Sequence, residues 1–404
     1  MKNRNKAVLS LSMLLLLNPA LSSMPVYASA SSNADEEISV SDFQRNYEEV
    51  NIPDKNLKAK LLEQLYKGPN AKITKDDLKK ITHLDISCEN IKDLTGLEYC
   101  TNLENLNLSS NGTDYDLSII SNLTNLKLLY IGNNPLTDIS PLKNLTNLYC
   151  LDISFTNLTD FSPLKDLPNL KTLFASGYDF NEYDYLDYVP NINSLISNSS
   201  NISDISKLAS FTNLVHISLA DNNISDISAL ANLKHLIQVN LSHNKISDIS
   251  PLTALNDSIN SNYLGIDISD QNITLDDCSS EDNFNLPLSI KDLNGNLITD
   301  IYNVSNGGVY DSTDNKITWN KEQAGSNVYY QFQYSYKSLK FSGTSSTNLV
   351  KTYSPDYYEE YALFYSQSIS LPEEKFNGDY TLNIPVKFFN KPVSWISFIL
   401  MILL

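Results

Sequence analysis

The sequence predicts a solenoid of short parallel strands and helical turns, followed by a small all-β domain. Three observations support this fold class. Apolar residues recur with a period of 22 from residue 81 to residue 255. The period stops after Leu255, and from residue 286 onward short strand-like stretches alternate with turn residues. We therefore expect an α/β repeat region and an all-β region in one chain.

Eight repeats are predicted, and their starts are apolar residues 22 positions apart with one inserted residue after the second. These starts are Ile81, Leu103, Leu126, Leu148, Leu170, Ile192, Leu214 and Leu236. Each repeat follows L-x-x-L-x-L-x-x-N-x-I-x-D-I-x-x-L-x-x-L, the spacing of leucine-rich repeats of roughly 20 to 29 residues. The L-x-L part predicts a short strand, and stacking pairs these strands into one parallel, concave sheet with a continuous core.

Two polar columns accompany the apolar ones. A tight turn after the strand leaves backbone groups facing inward, and an asparagine amide can both donate and accept there. This asparagine column holds Asn111, Asn134, Asn222 and Asn244. An acid recurs further along, at Asp93, Asp138, Asp160, Glu182, Asp204, Asp226 and Asp248. The acids could form a metal ladder or cap helical turns; the flanking serines favour caps, so we expect no metal and no cofactor.

A solenoid exposes its core at both ends, so each end needs a cover. Upstream, helical spacing relates Leu57, Leu61, Leu62 and Leu65, and Thr74 with Asp77 is a variant of the capping box. Residues 46–80 are therefore predicted as a helical cap. The repeats occupy 81–275 and end in a partial ninth strand.

The predicted all-β domain covers residues 276–350. Asn294-Gly295 and Asn306-Gly307 are typical of hairpin turns. Aromatic residues alternate with polar ones at Tyr330, Phe332, Tyr334 and Tyr336, as expected for a strand with one buried face. These patterns predict a small β-sandwich.

The N-terminal residues 1–30 are predicted to be a secretory signal. Three basic residues precede an apolar run from Ala7 to Leu17, and small residues follow. That run is too short to span a bilayer. Residues 31–45 are predicted to be flexible, and 351–404 to be a β-rich remnant with a short hydrophobic tail. We interpret this end either as truncated or frame-altered, or as an apolar tail that promotes association. The mode of attachment to a cell stays open.

The charge balance and the cysteines restrict the function. The chain has 47 Asp and Glu against 29 Lys and Arg, a formal charge of -18, so nucleic acid and anionic lipid are poor partners. Four cysteines, at positions 88, 100, 150 and 278, are too few for a disulfide scaffold. We expect isolated thiols, although two pairs are arithmetically possible.

Residues 45–345 resemble the internalin family of bacterial surface proteins. The similar segments are the helical cap, repeats such as "NKISDISPLTAL", and the stretches Ile290–Gly295, 306–311, 317–320 and 341–344. The resemblance implies that the all-β region is an immunoglobulin-like inter-repeat domain and that the protein is secreted or held at the bacterial surface. It also implies adhesion to a host-cell surface protein through the concave face, with a virulence-type role. After about residue 350 the chain departs from the family pattern.

The repeat register predicts which residues face a partner. Apolar and aromatic residues gather at outward positions of four adjacent repeats, and exposed aromatic clusters mark interaction sites. The candidate partner-binding residues are Leu128, Tyr130, Cys150, Asp152, Phe155, Phe174, Tyr178 and Ile196. The surrounding acids favour a basic partner surface. Segment 170–192 is unusual because Tyr178 replaces the column asparagine; Thr156 and Ser200 also break that column.

Catalysis is not expected. The four histidines, at 83, 216, 235 and 243, cannot be grouped into a Cys-His or Ser-His-Asp set, and no H-E-x-x-H, G-x-S-x-G or phosphate loop occurs. We predict a monomer that is not an enzyme, has no membrane-spanning segment, and binds a protein of unknown identity. A passive spacer and a carbohydrate-binding module remain as alternatives.

Overall fold

The computed structural model describes residues 48–255, 265–337 and 339–352. The predicted signal at 1–30, the flexible segment at 31–45 and residues 353–404 of the predicted remnant lie outside these ranges. Within the described ranges, no helix has the length and apolar composition needed to cross a bilayer.

Two helices precede the repeats, α1 (Lys55–Gln64) and α2 (Lys75–Leu78). Asp54 caps α1, because one of its carboxylate oxygens accepts the backbone N–H groups of Asn56 and Leu57 at 2.9 and 3.0 Å. Its other oxygen accepts the N–H of Lys92 at 2.6 Å, in the first repeat. The same side chain therefore begins the helix and holds the cap against the solenoid.

The capping box that the sequence indicates begins α2. The Thr74 hydroxyl accepts the N–H of Asp77 at 3.3 Å, and the Asp77 carboxylate accepts the N–H of Thr74 at 2.9 Å. Lys67 and Lys80 also bind this carboxylate. Burial alone would raise the pKa of Asp77, but these hydrogen bonds hold the pKa well below its ordinary value.

The repeats contribute one three-residue strand each, paired in parallel without a register shift. The strands are β1 (His83–Asp85), β2 (Asn105–Asn107), β3 (Leu128–Tyr130), β4 (Cys150–Asp152), β5 (Thr172–Phe174), β6 (Ser194–Ile196), β7 (His216–Ser218) and β8 (Gln238–Asn240). Alternate residues of a strand point to opposite faces, and the middle residue of every strand is buried in the solenoid core. The first and third residues lie on the other face, called here the open face.

Most return segments are short 3₁₀ helices: Leu97–Tyr99, Leu117–Ile120, Ser140–Asn144, Ser162–Asp166, Tyr185–Tyr188, Ser206–Ser210, Ser228–Asn232 and Ser250–Leu255. The recurrent acids begin these turns by accepting a backbone N–H two residues on, at 2.7 to 2.9 Å for Asp138, Asp160, Asp204, Asp226 and Asp248. The prediction was wrong at Glu182, because Asp179 instead caps the short helix α3 (Phe180–Tyr183) at 2.9 Å.

The repeat sheet continues into the all-β region through β9 (Gly265–Thr274). The first three residues of β9 pair with β8, and the strand then pairs in parallel with β16 (Leu339–Lys351). A register shift occurs between Phe341 and Gly343. Gly343 lies against the backbone of Gln271, where a Cβ would overlap the Gln271 carbonyl oxygen. A glycine is thus required for the close approach of these two strands.

The remaining strands are β10 (Cys278–Ser280), β11 (Phe284–Pro287), β12 (Ile301–Tyr302), β13 (Val309–Asp311), β14 (Lys316–Trp319) and β15 (Asn327–Tyr336). In the described part of the chain, β15 and β12 extend the large sheet beyond β16, β10 pairs with β16, and β11, β14 and β13 form a second sheet. Trp319, Tyr330, Phe332 and Phe341 are buried in the domain's core. This arrangement fits an immunoglobulin-like domain, and the predicted fold class is confirmed.

One predicted hairpin is a different kind of turn. Asn306 and Gly307 both have positive φ, 52° and 69°, as a tight turn requires. However, the strands on either side, β12 and β13, belong to different sheets. The turn therefore passes the chain from one sheet to the other, whereas Asn294-Gly295 does lie between the antiparallel bridge partners Lys291 and Leu297.

Candidate protein-binding face

The register places the third residues of the strands in one row across the open face. From β1 to β9 this row is Asp85, Asn107, Tyr130, Asp152, Phe174, Ile196, Ser218, Asn240 and Asp267. The row is polar at both ends and mainly aromatic or aliphatic in the middle. Adjacent parallel strands lie about 4.8 Å apart, so the central part spans about 14 Å from β3 to β6.

Five side chains form what we call the aromatic patch: Leu128, Tyr130, Phe155, Phe174 and Ile196. Four of them are half-buried on the open face, and Phe155 is 50% exposed at the edge of the sheet. The Tyr130 and Phe174 rings are 6.3 Å apart between centroids and tilted by 59°, a favourable aromatic arrangement. The patch is thus a group of large, at least partly accessible side chains on four adjacent repeats, and two of its rings are in contact.

Cys150 is buried beneath the patch and contacts Tyr130. Only 5% of its surface is exposed, and its thiol donates a weak hydrogen bond to the Tyr130 hydroxyl at 3.9 Å. Burial raises the pKa of this thiol. Burial, with the nearby Cys150 and Asp152, raises the pKa of Tyr130 to about 12. Our expectation that Cys150 contacts a partner directly is corrected, because the neighbouring strands cover its side chain.

Tyr178 is also not part of the open face, and this corrects a second predicted partner residue. Its side chain is 4% exposed and lies in the solenoid core. The ring packs edge-on against Phe161 and Tyr183, with centroid distances of 5.1 Å to each. The position that holds asparagine in regular repeats points inward, so a tyrosine there is directed into the core as well.

The asparagine column is a continuous hydrogen-bonded ladder where asparagine is present. All four asparagines are buried. The Asn222 amide oxygen accepts the N–H groups of Ser200 and Ile202 at 2.9 and 3.0 Å, and its nitrogen donates to the carbonyls of Ser197 and Leu219 at 2.9 and 3.0 Å. Each asparagine therefore joins its own turn to the preceding repeat.

Gln271 continues this ladder into the ninth strand, although we did not assign it to the asparagine column from the sequence. Its amide oxygen accepts the N–H of Ile246 at 2.9 Å, and its nitrogen donates to the carbonyls of Leu241 and Ser269 at 2.9 and 3.0 Å. A glutamine amide has the same donors and acceptor as asparagine. The signal was available, since Gln271 stands three residues after the buried Ile268, as Asn244 does after Leu241.

In repeats four to six, hydroxyl groups replace the column asparagine and form hydrogen bonds with the inward backbone groups. The Tyr178 hydroxyl accepts the N–H of Leu158 at 3.0 Å and bonds to the Thr156 hydroxyl at 2.8 Å. Thr156 donates in turn to the carbonyl of Ile153 at 2.8 Å. Ser200 accepts the N–H of Gly177 at 2.8 Å. The substitutions in repeats four to six therefore keep the inward backbone groups paired.

The polar flank of the patch contains a shallow groove of about 490 Å³. Its polar lining residues are Ser194, His216, Ser218, Gln238, Asn240, Asp267 and Lys340. Within the described ranges no group of three His, Cys, Asp or Glu residues could hold a metal ion. The four cysteines are free thiols.

Comparison with known proteins agrees with the repeat architecture. A sequence model of the family described as "Leucine Rich repeats (2 copies)" matches residues 101–144 and 212–254. No curated protein matches the chain significantly. Among solved structures, internalin C2 from Listeria monocytogenes is 29% identical, with 55% of this chain and 86% of that chain covered and a TM-score of 0.38.

Two further structures from the same organism are similar. An internalin, InlF, is 26% identical over 57% of this chain and 84% of that chain, with a TM-score of 0.32. InlP is 17% identical over 74% of this chain and 96% of that chain, with a TM-score of 0.49. The chain therefore contains leucine-rich repeats, and the solved structures named above are internalins, the family that its sequence resembles.

Proposed function

We propose that this protein is exported by a bacterium and binds a host-cell surface protein through the aromatic patch on its open face. The observation that supports the proposal is the clustering of Leu128, Tyr130, Phe155, Phe174 and Ile196 within four adjacent repeats. Exposed apolar groups of this kind, bordered by polar residues, are typical of protein interaction sites. The predicted signal and the resemblance to secreted or surface-held internalins support localisation outside the cell.

Tyr130 and Phe174 are the proposed anchors of the interaction. Their rings contact one another, and tyrosine in particular is enriched among residues that dominate binding energy. Both are held on strands rather than on loops, so little conformational entropy is lost when a partner covers them. Burial of two half-exposed rings under a partner would therefore contribute several kcal/mol of binding free energy.

The charge of the chain indicates the partner's chemistry. With a formal charge of -18, the protein attracts basic surfaces and repels acidic ones at long range. We therefore expect the host protein to present a basic surface with at least one apolar side chain for the patch. Association should slow as salt is added, because exposed charges are screened beyond about 10 Å at 0.1 M ionic strength.

The test is binding of the purified, labelled chain to cultured host cells. The double variant Tyr130→Ser, Phe174→Ser should lose roughly 100-fold or more in affinity, which corresponds to about 3 kcal/mol. A matched control, His83→Ser with Gln238→Ser, changes two exposed open-face residues outside the patch and should bind as the parent does. Equal binding by both double variants would disprove the site assignment.

The same assay separates the alternatives. Protease treatment of the cells should abolish binding, whereas removal of surface glycans should leave it intact. The opposite pattern would indicate a carbohydrate ligand, since aromatic rings also stack on sugars. Absence of saturable binding to any cell type would favour the passive spacer.

A further inference from the structure

Asp152 occupies an unusual position between the two anchor rings. It lies on β4 in register with Tyr130 on one side and Phe174 on the other. The backbones of these two aromatic residues are two strand spacings apart, roughly 9.5 Å, yet their ring centroids are 6.3 Å apart. The rings therefore converge over β4, on the face that carries the Asp152 carboxylate.

The carboxylate is held in place by the backbone around it. Asp152 Oδ1 accepts the N–H of Ser154 at 2.9 Å. Its Oδ2 lies over Gly132, where an added Cβ would be only 2.8 Å away. Gly132 thus leaves room for the carboxylate next to the backbone of repeat three.

The turn at Asp152 does not require a negative charge. At the same position in other repeats, Asn107 and Asn240 accept the N–H two residues on at 3.1 Å, as Asp85 and Asp267 do at 3.0 Å. An asparagine could therefore make the same hydrogen bond. Asp85 and Asp267 are exposed, whereas Asp152 is half-buried, and burial raises the pKa of the Asp152 carboxyl.

Asp152 forms no ion pair with any of the residues that the structure describes. The lysines one residue before β3 and β5 are used elsewhere, since Lys127 pairs with Glu104 at 2.8 Å and Lys171 donates to the Asn191 carbonyl at 3.1 Å. The titratable groups that face the carboxylate are the Tyr130 hydroxyl and the Cys150 thiol. A carboxylate partly removed from water without a counter-charge costs stability.

We propose that Asp152, Tyr130 and Phe174 form a seat for a lysine or arginine side chain of the partner protein. The carboxylate supplies the counter-charge, and the two rings supply faces for cation–π contact with the same group. The apolar stem of the cationic side chain would pack along Leu128 or Ile196. This inference rests on the proposed function and adds to it the chemistry of one partner residue.

The test uses small cations as probes of the full chain. Methyl NMR signals of Leu128 and Ile196, which flank the seat, are followed while n-butylguanidinium or n-butylammonium chloride is added. Saturable shifts are expected with at least one of these salts, and much smaller shifts with neutral n-butylurea. Asp152→Asn should weaken cation binding about 10-fold or more, because the counter-charge is lost while the shape is kept.

Asp267→Asn is the matched control, since Asp267 lies in the same row, makes the same turn hydrogen bond and is exposed. It should leave cation binding unchanged. Equal shifts with the urea, or equal cation binding by Asp152→Asn and the parent chain, would overturn the inference. The proposed function is tested separately, by the loss of cell binding in the Tyr130→Ser, Phe174→Ser variant. If that variant fails to bind cells, the proposed function stands even when the cation test fails.

Discussion

Tyr178→Phe tests how the solenoid replaces a missing ladder asparagine. The substitution removes one oxygen atom from a side chain that is 4% exposed. The ring keeps its edge-on packing against Phe161 and Tyr183, so the apolar part of its contribution is retained. Only the hydrogen bonds of the hydroxyl, with the N–H of Leu158 and with Thr156, are lost.

The size of the destabilisation depends on whether each former hydrogen-bond partner of the Tyr178 hydroxyl keeps another partner in the variant. Thr156 still donates to the Ile153 carbonyl at 2.8 Å. Losing its hydrogen bond with Tyr178 therefore costs only about 1 kcal/mol, the net contribution of one hydrogen bond. The N–H of Leu158 is left buried without this acceptor, which costs about 1 to 3 kcal/mol. We expect the free energy of unfolding to fall by roughly 2 to 4 kcal/mol.

Urea unfolding followed by far-UV circular dichroism measures this loss, with an unchanged denaturant slope expected. Tyr183→Phe is the matched control, because this hydroxyl belongs to the same repeat on a side chain that is 36% exposed; its effect should stay within about 0.5 kcal/mol. In the double variant with Thr156→Val, the two losses should be less than additive. If Tyr178→Phe costs no more than Tyr183→Phe, the hydroxyl does not replace the asparagine.

Three other outcomes are expected. Because burial raises the pKa of Asp152, its charged form destabilises the folded state at neutral pH. Asp152→Asn should therefore raise the thermal midpoint at pH 7, and this gain should vanish towards pH 4. A midpoint lowered by the substitution at pH 7 would contradict the expectation. Although buried, Asp77 has its pKa held low by Lys67 and other donors, so it stabilises the fold above the ordinary carboxyl pKa of about 4. Asp77→Asn should therefore lower the free energy of unfolding by about 1 to 3 kcal/mol at pH 7. The difference in stability between the variant and the parent chain should narrow as pH falls below about 4. A difference that does not change with pH would refute the ion-pair explanation. Gly343→Ala places a Cβ against the Gln271 carbonyl and should cost about 1 to 3 kcal/mol in urea unfolding, whereas an unchanged midpoint would show that β9 and β16 can separate without loss.

The regular part of the fold was predictable because each column of the repeat has one physical task. The apolar columns fill the core, the asparagines pair inward backbone groups, and the acids begin the return turns. A fixed period of 22 carries these tasks from repeat to repeat, so strand positions and the open face followed from counting. Gln271 was missed because the period is interrupted before the ninth strand.

The irregular repeats were harder to predict because the register gives the direction of a side chain but not how far its neighbours cover it. A tyrosine suggests exposure on composition alone, but Tyr178 stands in a column that always points inward and is buried there. Cys150 stands in an outward column and is nevertheless covered by its neighbours, with Tyr130 hydrogen-bonded above it. Register gives the direction of a side chain, whereas its exposure depends on the neighbours in adjacent repeats.

Phe155 shows why the middle repeats differ from the rest. The third residue after each repeat strand has positive φ, and besides Phe155 this column holds Cys88, Ser110, Asn133, Gly177, Ser199, Asp221 and His243. Phe155 has φ of 52° and is 50% exposed, so it combines a backbone conformation unfavourable for a bulky residue with an exposed ring. Gly177 makes room for the ring, since a Cβ there would lie 2.8 Å from it. Both features fit the proposed function, since a partner that covered the aromatic patch would bury this ring.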